Sequence, residues 1–173
     1  MGKPSIHEKA TLLRGIVLGA HDGIITTFAV IAGATGASLN SSVILILGLA
    51  KLLADGFSMG SGNYLGVKSE VEFQKAKERL YVSQHSPLKH GFLTFASFIF
   101  IGFFPLFPYV FNFEPRFLLS IYIVGILLFT VGALRSFYSG KKWIVGGIEM
   151  FLIGGVAALI AYFVGFFLDK YVV

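Results

Sequence analysis

"GIVLGAHDGIITTFAVIAGATGA", residues 15–37, decides the fold class. As a helix rising about 1.5 Å per residue it crosses roughly 30 Å of hydrocarbon, the thickness of a bilayer core. Its middle holds His21 and Asp22, and an ionisable group at mid-membrane costs about 2.5–3.5 kcal/mol on the insertion scale. A chain that accepts this cost turns the carboxylate toward protein, water or a partner. The stretch is no cleaved leader, because Asp22 lies in its middle, no convincing cleavage site follows, and four more apolar stretches come after it. Hydrophobic residues make up 55% of the chain and charged residues 13%, and mean hydropathy is +0.80. Soluble domains carry about 25% charged residues, so this is an integral membrane protein.

The apolar stretches run over residues 15–37, 42–66, 88–111, 117–139 and 143–168. They form a single all-α transmembrane domain over 1–173, with a short polar linker at 67–87. Pro87 opens the third span, Pro115 precedes the fourth and Gly140 follows it, as helix punctuation requires. Lys3, Lys9 and Arg14 precede span one. Lys68, Lys75, Lys77, Arg79 and Lys89 follow span two, and Arg135, Lys141 and Lys142 follow span four. The alternate segments are nearly free of cations: none in the first loop, Arg116 in the second and Lys170 in the tail. The positive-inside rule then puts the N-terminus in the cytoplasm and the C-terminus outside, which an odd number of spans also requires. The formal charge of +5 is this orientation bias rather than a nucleic-acid surface. The absence of cysteine removes disulfides, thiolate metal sites and thiol chemistry. No nucleophile–base constellation, phosphate loop or internal repeat stands out, so no enzyme and no cofactor is expected.

The intramembrane ionisable residues are His21, Asp22, Lys51, Asp55 and Glu149. Lys51, Asp55, Met59 and Asn63 recur every four residues, a stripe that drifts by about 40° per step along a helix. Counted from the span ends, Asp22, Met59 and Glu149 can share one layer near the cytoplasmic side. Carboxylate oxygen with thioether sulfur suits a divalent first-row transition metal better than calcium or magnesium. Carboxylates in a low dielectric also hold protons more tightly, so metal entry displaces protons. Each residue has a plainer reading as well. Met59 can be core filler, Asp22 a helix–helix hydrogen bond, and Lys51 with Asp55 a structural ion pair. His21 points to a different helix face from Asp22 and reads as a satisfied polar residue. Glu70, Glu72 and Glu78 read as a solvated face, His85 and His90 as loop residues. Gly15, Gly19 and Gly23, with Gly56, Gly60 and Gly62, bear the small-residue spacing of close helix packing, often between subunits.

"RGIVLGAHDGIITTFAVIAGATGA", "FSMGSGNYLGVKSE", "FPLFPY" and "GIEMFLIGGVAALIAYFVG" together resemble the vacuolar iron transporter family, in the right order over residues 14–168. The resemblance implies a five-helix homodimer with a path between the subunits. It also implies export of ferrous iron or manganese from the cytoplasm against protons. Asp22 and Met59 match the family's intramembrane metal-site aspartate and methionine, and Glu149 falls in its span-five pattern. The family's glutamate-rich insert between spans two and three is missing. Lys51 stands where members often carry a glutamate, and a cation there repels a metal unless Asp55 neutralises it. Lys51, Asp55 and Asn63 are therefore read as a gating and proton-coupling set. The expected partners are a divalent metal ion, protons, the bilayer and a second copy of the chain. The expected membrane is the cell membrane in a prokaryote or a vacuolar-type membrane in a eukaryote. The alternatives are a transporter of another solute and a non-transporting scaffold of the same fold.

Overall fold

The structure, a computed structural model, describes residues 6–77, 86–140 and 142–172. Lys3, Glu78, Arg79, His85 and Lys141, which the sequence reading uses, lie outside them. Helix α1 (Ile6–Gly36) turns at residues 37–40 into α2 (Ser41–Ala76), whose start is capped by the Asn40 side chain accepting from the Val43 amide at 3.0 Å. Helix α3 (Pro87–Phe103) begins with Ser86 as N-cap and proline in its first turn, where the missing N–H costs nothing. A 3₁₀ turn (Phe104–Leu106) and the short helix α4 (Phe107–Val110) continue it, followed by α5 (Arg116–Ser139) and α6 (Trp143–Tyr171). Among the described residues five helices are long and apolar enough to cross a membrane: Glu8–Gly36, Ser41–Ala76, Pro87–Val110, Arg116–Tyr138 and Trp143–Tyr171. The described residues contain no strand.

Where the sequence shows one continuous third span, the structure breaks it at Phe104. Pro105 and Pro108 remove amide donors from the helical ladder, and the Ser120 hydroxyl donates to the Pro105 carbonyl at 2.7 Å. Inside hydrocarbon an unsatisfied carbonyl needs such a partner. Helix α2 overshoots the bilayer: its 36 residues rise about 54 Å. Its exposed end carries a Lys68–Glu72 pair at 3.9 Å and a Gln74–Glu70 hydrogen bond at 3.2 Å, in keeping with a solvated face.

Helix α3 lies between α1 and α2, α1 also packs on α6, and α5 pairs with α6. The core is Ile24, Ile31, Leu52, Phe98, Leu106 and Leu128 with their neighbours. Glycine sets the α1–α3 distance. A methyl at Gly23 would stand 2.5 Å from the Phe98 carbonyl oxygen, and one at Gly19 would stand 2.6 Å from that of Thr94. The sequence reading offers this glycine face of α1 to a second subunit. The structure spends it inside the chain, because α3 presents its own small residues, Thr94, Ser97 and Gly102, at matching heights. On α2, Gly56 and Gly60 face α3 in the same way, whereas Gly62 has nothing within 4 Å.

His90 is the second correction. Read as a loop residue, it lies in the first turn of α3 and is 1% exposed. With Ser86 as N-cap and Pro87 at its start, the first turn of α3 includes His90 and buries it.

Candidate functional site

Asp22 and His21 are neighbours in sequence, so about 100° of helix separates them, and each serves a different face of α1. Asp22 looks toward α2, where Lys51 and Asp55 are the charges it feels besides His21. His21 lines a cavity between α1, α5 and α6 together with Arg135 and Met150. The Thr26 hydroxyl donates to the Asp22 backbone carbonyl at 2.8 Å. No donor among the described residues reaches the Asp22 carboxylate itself.

On α2, the Lys51 ammonium donates to the Asp55 carboxylate one turn away, and about a third of each side chain is exposed, 35% and 36%. The packing register decides which residues share a level. Gly15 abuts the Asn63 side chain, while Gly102 of α3 touches both Leu52 and the Gly23 carbonyl. In an antiparallel pair this sets Asp22 level with Asp55, and Met59 lies about one turn, roughly 5 Å, nearer the N-terminal end of α1. Met59 is half-buried and packs against the core cluster.

The four-residue stripe does not stay on one face. Three steps of about 40° turn Asn63 about 120° away from Lys51. Its amide binds α3 instead, donating to the His90 carbonyl at 3.2 Å and to the Thr94 hydroxyl at 2.7 Å. Asn63 sits where all three helices meet, against Gly15 of α1 and bonded to α3, while Lys51 and Asp55 lie beside α1.

Glu149 lies elsewhere. Its carboxylate accepts from the Arg135 guanidinium at 2.8 Å across the α5–α6 hairpin. Among the described residues, no three histidine or acidic side chains come together to hold a metal ion. Arg135 is the residue that sequence reasoning missed, having counted it as a loop cation. Its signal was the hairpin itself: residues at similar distances from a turn face each other, and Gly140 stands between Arg135 and Glu149. Of the three intramembrane acids, Asp55 is neutralised by Lys51 and Glu149 by Arg135. Asp22 is the carboxylate left without an ion pair among the described residues.

Comparison with known proteins agrees with this architecture. The family model described as the VIT family matches residues 13–84 and 76–166. The two matches overlap at residues 76–84. A vacuolar iron transporter of Plasmodium berghei is 24% identical over 220 residues, covering 88% of this chain and 81% of that protein. A vacuolar iron transporter of Toxoplasma gondii is 25% identical over 220 residues, covering 88% of this chain and 73% of that protein. These alignments are longer than the 173-residue chain, so both relatives hold segments that it lacks. Vacuolar iron transporter 1 of Oryza sativa subsp. japonica is 42% identical over 69 residues, covering 39% of this chain and 27% of that protein.

Proposed function

This chain belongs to the VIT family, and we propose that it carries divalent iron or manganese out of the cytoplasm in exchange for protons. The observation that carries this reading is the unpaired Asp22 carboxylate, level with the Lys51–Asp55 pair and one turn from the Met59 thioether. Asp22 offers a charged oxygen ligand and Met59 a soft sulfur, a donor set that suits a first-row dication. Lys51 holds the place of a cation in the empty carrier. An arriving dication is attracted by Asp22 and Asp55, and the ammonium of Lys51 swings off Asp55 as it enters. Protons return on the carboxylates when the metal leaves. Glu149, tied to Arg135 across α1 from Asp22, takes no part in this cycle. Asn63 serves this cycle by fixing α2 on α3, so that motion of Lys51 leaves the helix in place.

The working unit in this proposal is a homodimer, and α2 supplies the contact. Ala50, Ala54 and Ser58 form a short small-residue stripe, exposed throughout, beside the Lys51–Asp55 pair. An ion pair one-third exposed at mid-membrane is costly against lipid. A second copy across that stripe covers it and encloses a path lined by Asp22 from both chains. The membrane is the cell membrane in a prokaryote or a vacuolar-type membrane in a eukaryote. Purified protein in sealed liposomes tests transport itself: an imposed manganese or ferrous gradient should drive counterflow of protons. A protein that dimerises but moves neither ion is the scaffold of the alternative reading.

A further inference from the structure

On the other side of α1, a groove between α1, α5 and α6 changes character along its length. At the end nearer the N-terminus of α1 it is a cavity of about 440 Å³ lined by Arg14, His21, Arg135 and Tyr138. Arg14 and His21 are seven residues apart, two turns on one face of α1. Arg135 gives one amino group of its fork to Glu149. A guanidinium has five N–H donors in all, so others remain. Arg14 is exposed and has no ion pair among the described residues. Among the described residues no carboxylate lines the cavity. Its rim is open to the hydrocarbon, with Leu18 50% and Ile153 51% exposed.

About two turns further along α1, the same three helices enclose an apolar crevice of about 390 Å³, lined among others by Phe28, Ala32, Leu128, Gly155, Ala158 and Tyr162. Basic at one end and purely apolar beyond, the groove has the polarity of a phospholipid. Basic pockets between membrane helices on the cytoplasmic side are a recurring way to hold anionic headgroups, and arginine forks match phosphate oxygens.

We infer that this groove is a binding site for an anionic glycerophospholipid, its phosphate between Arg14 and Arg135 and one acyl chain in the Phe28–Tyr162 crevice. The site lies across α1 from Asp22 and does not depend on the transport reading. A lipid seated there braces α1 against the α5–α6 hairpin, the contact behind the helix that carries Asp22. The shared arginine links headgroup binding to the Arg135–Glu149 pair.

Native mass spectrometry of the detergent-purified full chain, titrated with phosphatidylglycerol and with phosphatidylcholine of identical chains, tests this. Phosphatidylglycerol should be retained about tenfold more strongly, and millimolar inorganic phosphate should not displace it. Arg14→Gln should weaken its retention about fivefold, the expected loss for one interfacial cation. Gly155→Leu should weaken it at least as much by filling the crevice, since a Cβ at Gly155 meets nothing within 4 Å and the fold should tolerate it. Lys170→Gln, at the far end of α6, should change nothing. Equal retention of the two lipids would overturn the headgroup assignment. Displacement by inorganic phosphate would show an anion site without lipid. Unchanged phosphatidylglycerol binding in both folded variants, Arg14→Gln and Gly155→Leu, would remove the groove as the site.

Discussion

Replacing Lys51 by glutamate reverses the charge beside Asp22 and should strengthen metal binding about tenfold. The size follows from the position of Lys51, within electrostatic reach of Asp22 on the α1–α2 face. Going from +1 to −1 changes the interaction with a dication by four charge products. At about 10 Å and a water-like dielectric that is about 1.7 kcal/mol; lower polarity raises it and salt reduces it, leaving about one decade in affinity. Lys51→Met is half that change and should strengthen binding about threefold to fivefold. Manganese titrations followed by electron paramagnetic resonance read both directly. The pair also has a structural side. For ions about one-third exposed, breaking it falls between the surface and buried limits, about 1–2 kcal/mol. Lys51→Met and Asp55→Asn should each lower stability by that amount, and the double variant should recover part of it. Under the proposed cycle, the double variant still transports abnormally, because the tethered cation and its acceptor are both gone. Normal metal-driven flux in the double variant, together with unchanged manganese affinity in Lys51→Glu, would refute the reasoning and leave a purely structural pair.

Gly23→Val should cost about 1–3 kcal/mol in thermal unfolding, since its Cβ would press on the Phe98 carbonyl in a packed interface; an unchanged melting temperature would mean α1 and α3 are less closely packed. Single cysteines at Ala54 or Ser58 on α2 should cross-link between subunits, whereas one at Gly19 should not, being covered by α3; the reverse pattern would return the dimer contact to α1. A reporter fused after Val173 should be extracytoplasmic and one near Ser83 cytoplasmic, and finding both on one side would contradict the five-span orientation.

The five long helices were legible because the bilayer demands long apolar runs, and the chain has five of them. Their partners were less legible. Gly15, Gly19 and Gly23 announce close packing, but the same spacing fits a second subunit or a neighbouring helix equally well. The choice rests on Thr94, Ser97 and Gly102, more than seventy residues away. Asp22 and the Lys51–Asp55 pair were readable from cost and spacing. The fate of Asn63 was hidden in a drift of 40° per step that is negligible over one turn and decisive over three. Depth counted from span ends placed Asp22 beside Met59. The packed register sets it beside Asp55, because α2 is longer than the membrane and its apolar limits do not mark its level. Arg135 was obscured by the assumption that cations near a turn belong to the loop, although a helix that runs to Ser139 carries Arg135 one turn inside.

Metal uptake by Asp22→Asn tests the central claim most directly. The substitution keeps the size of the side chain and removes the carboxylate charge left unpaired among the intramembrane acids. Compared with the unmodified protein in liposomes, under the same ferrous or manganese gradient, the variant should remain dimeric and as thermally stable. It should lose at least nine-tenths of both metal flux and proton counterflow. Flux within twofold of the unmodified protein, in a variant shown to be folded, would contradict the assignment of Asp22 as the carboxylate through which the metal passes.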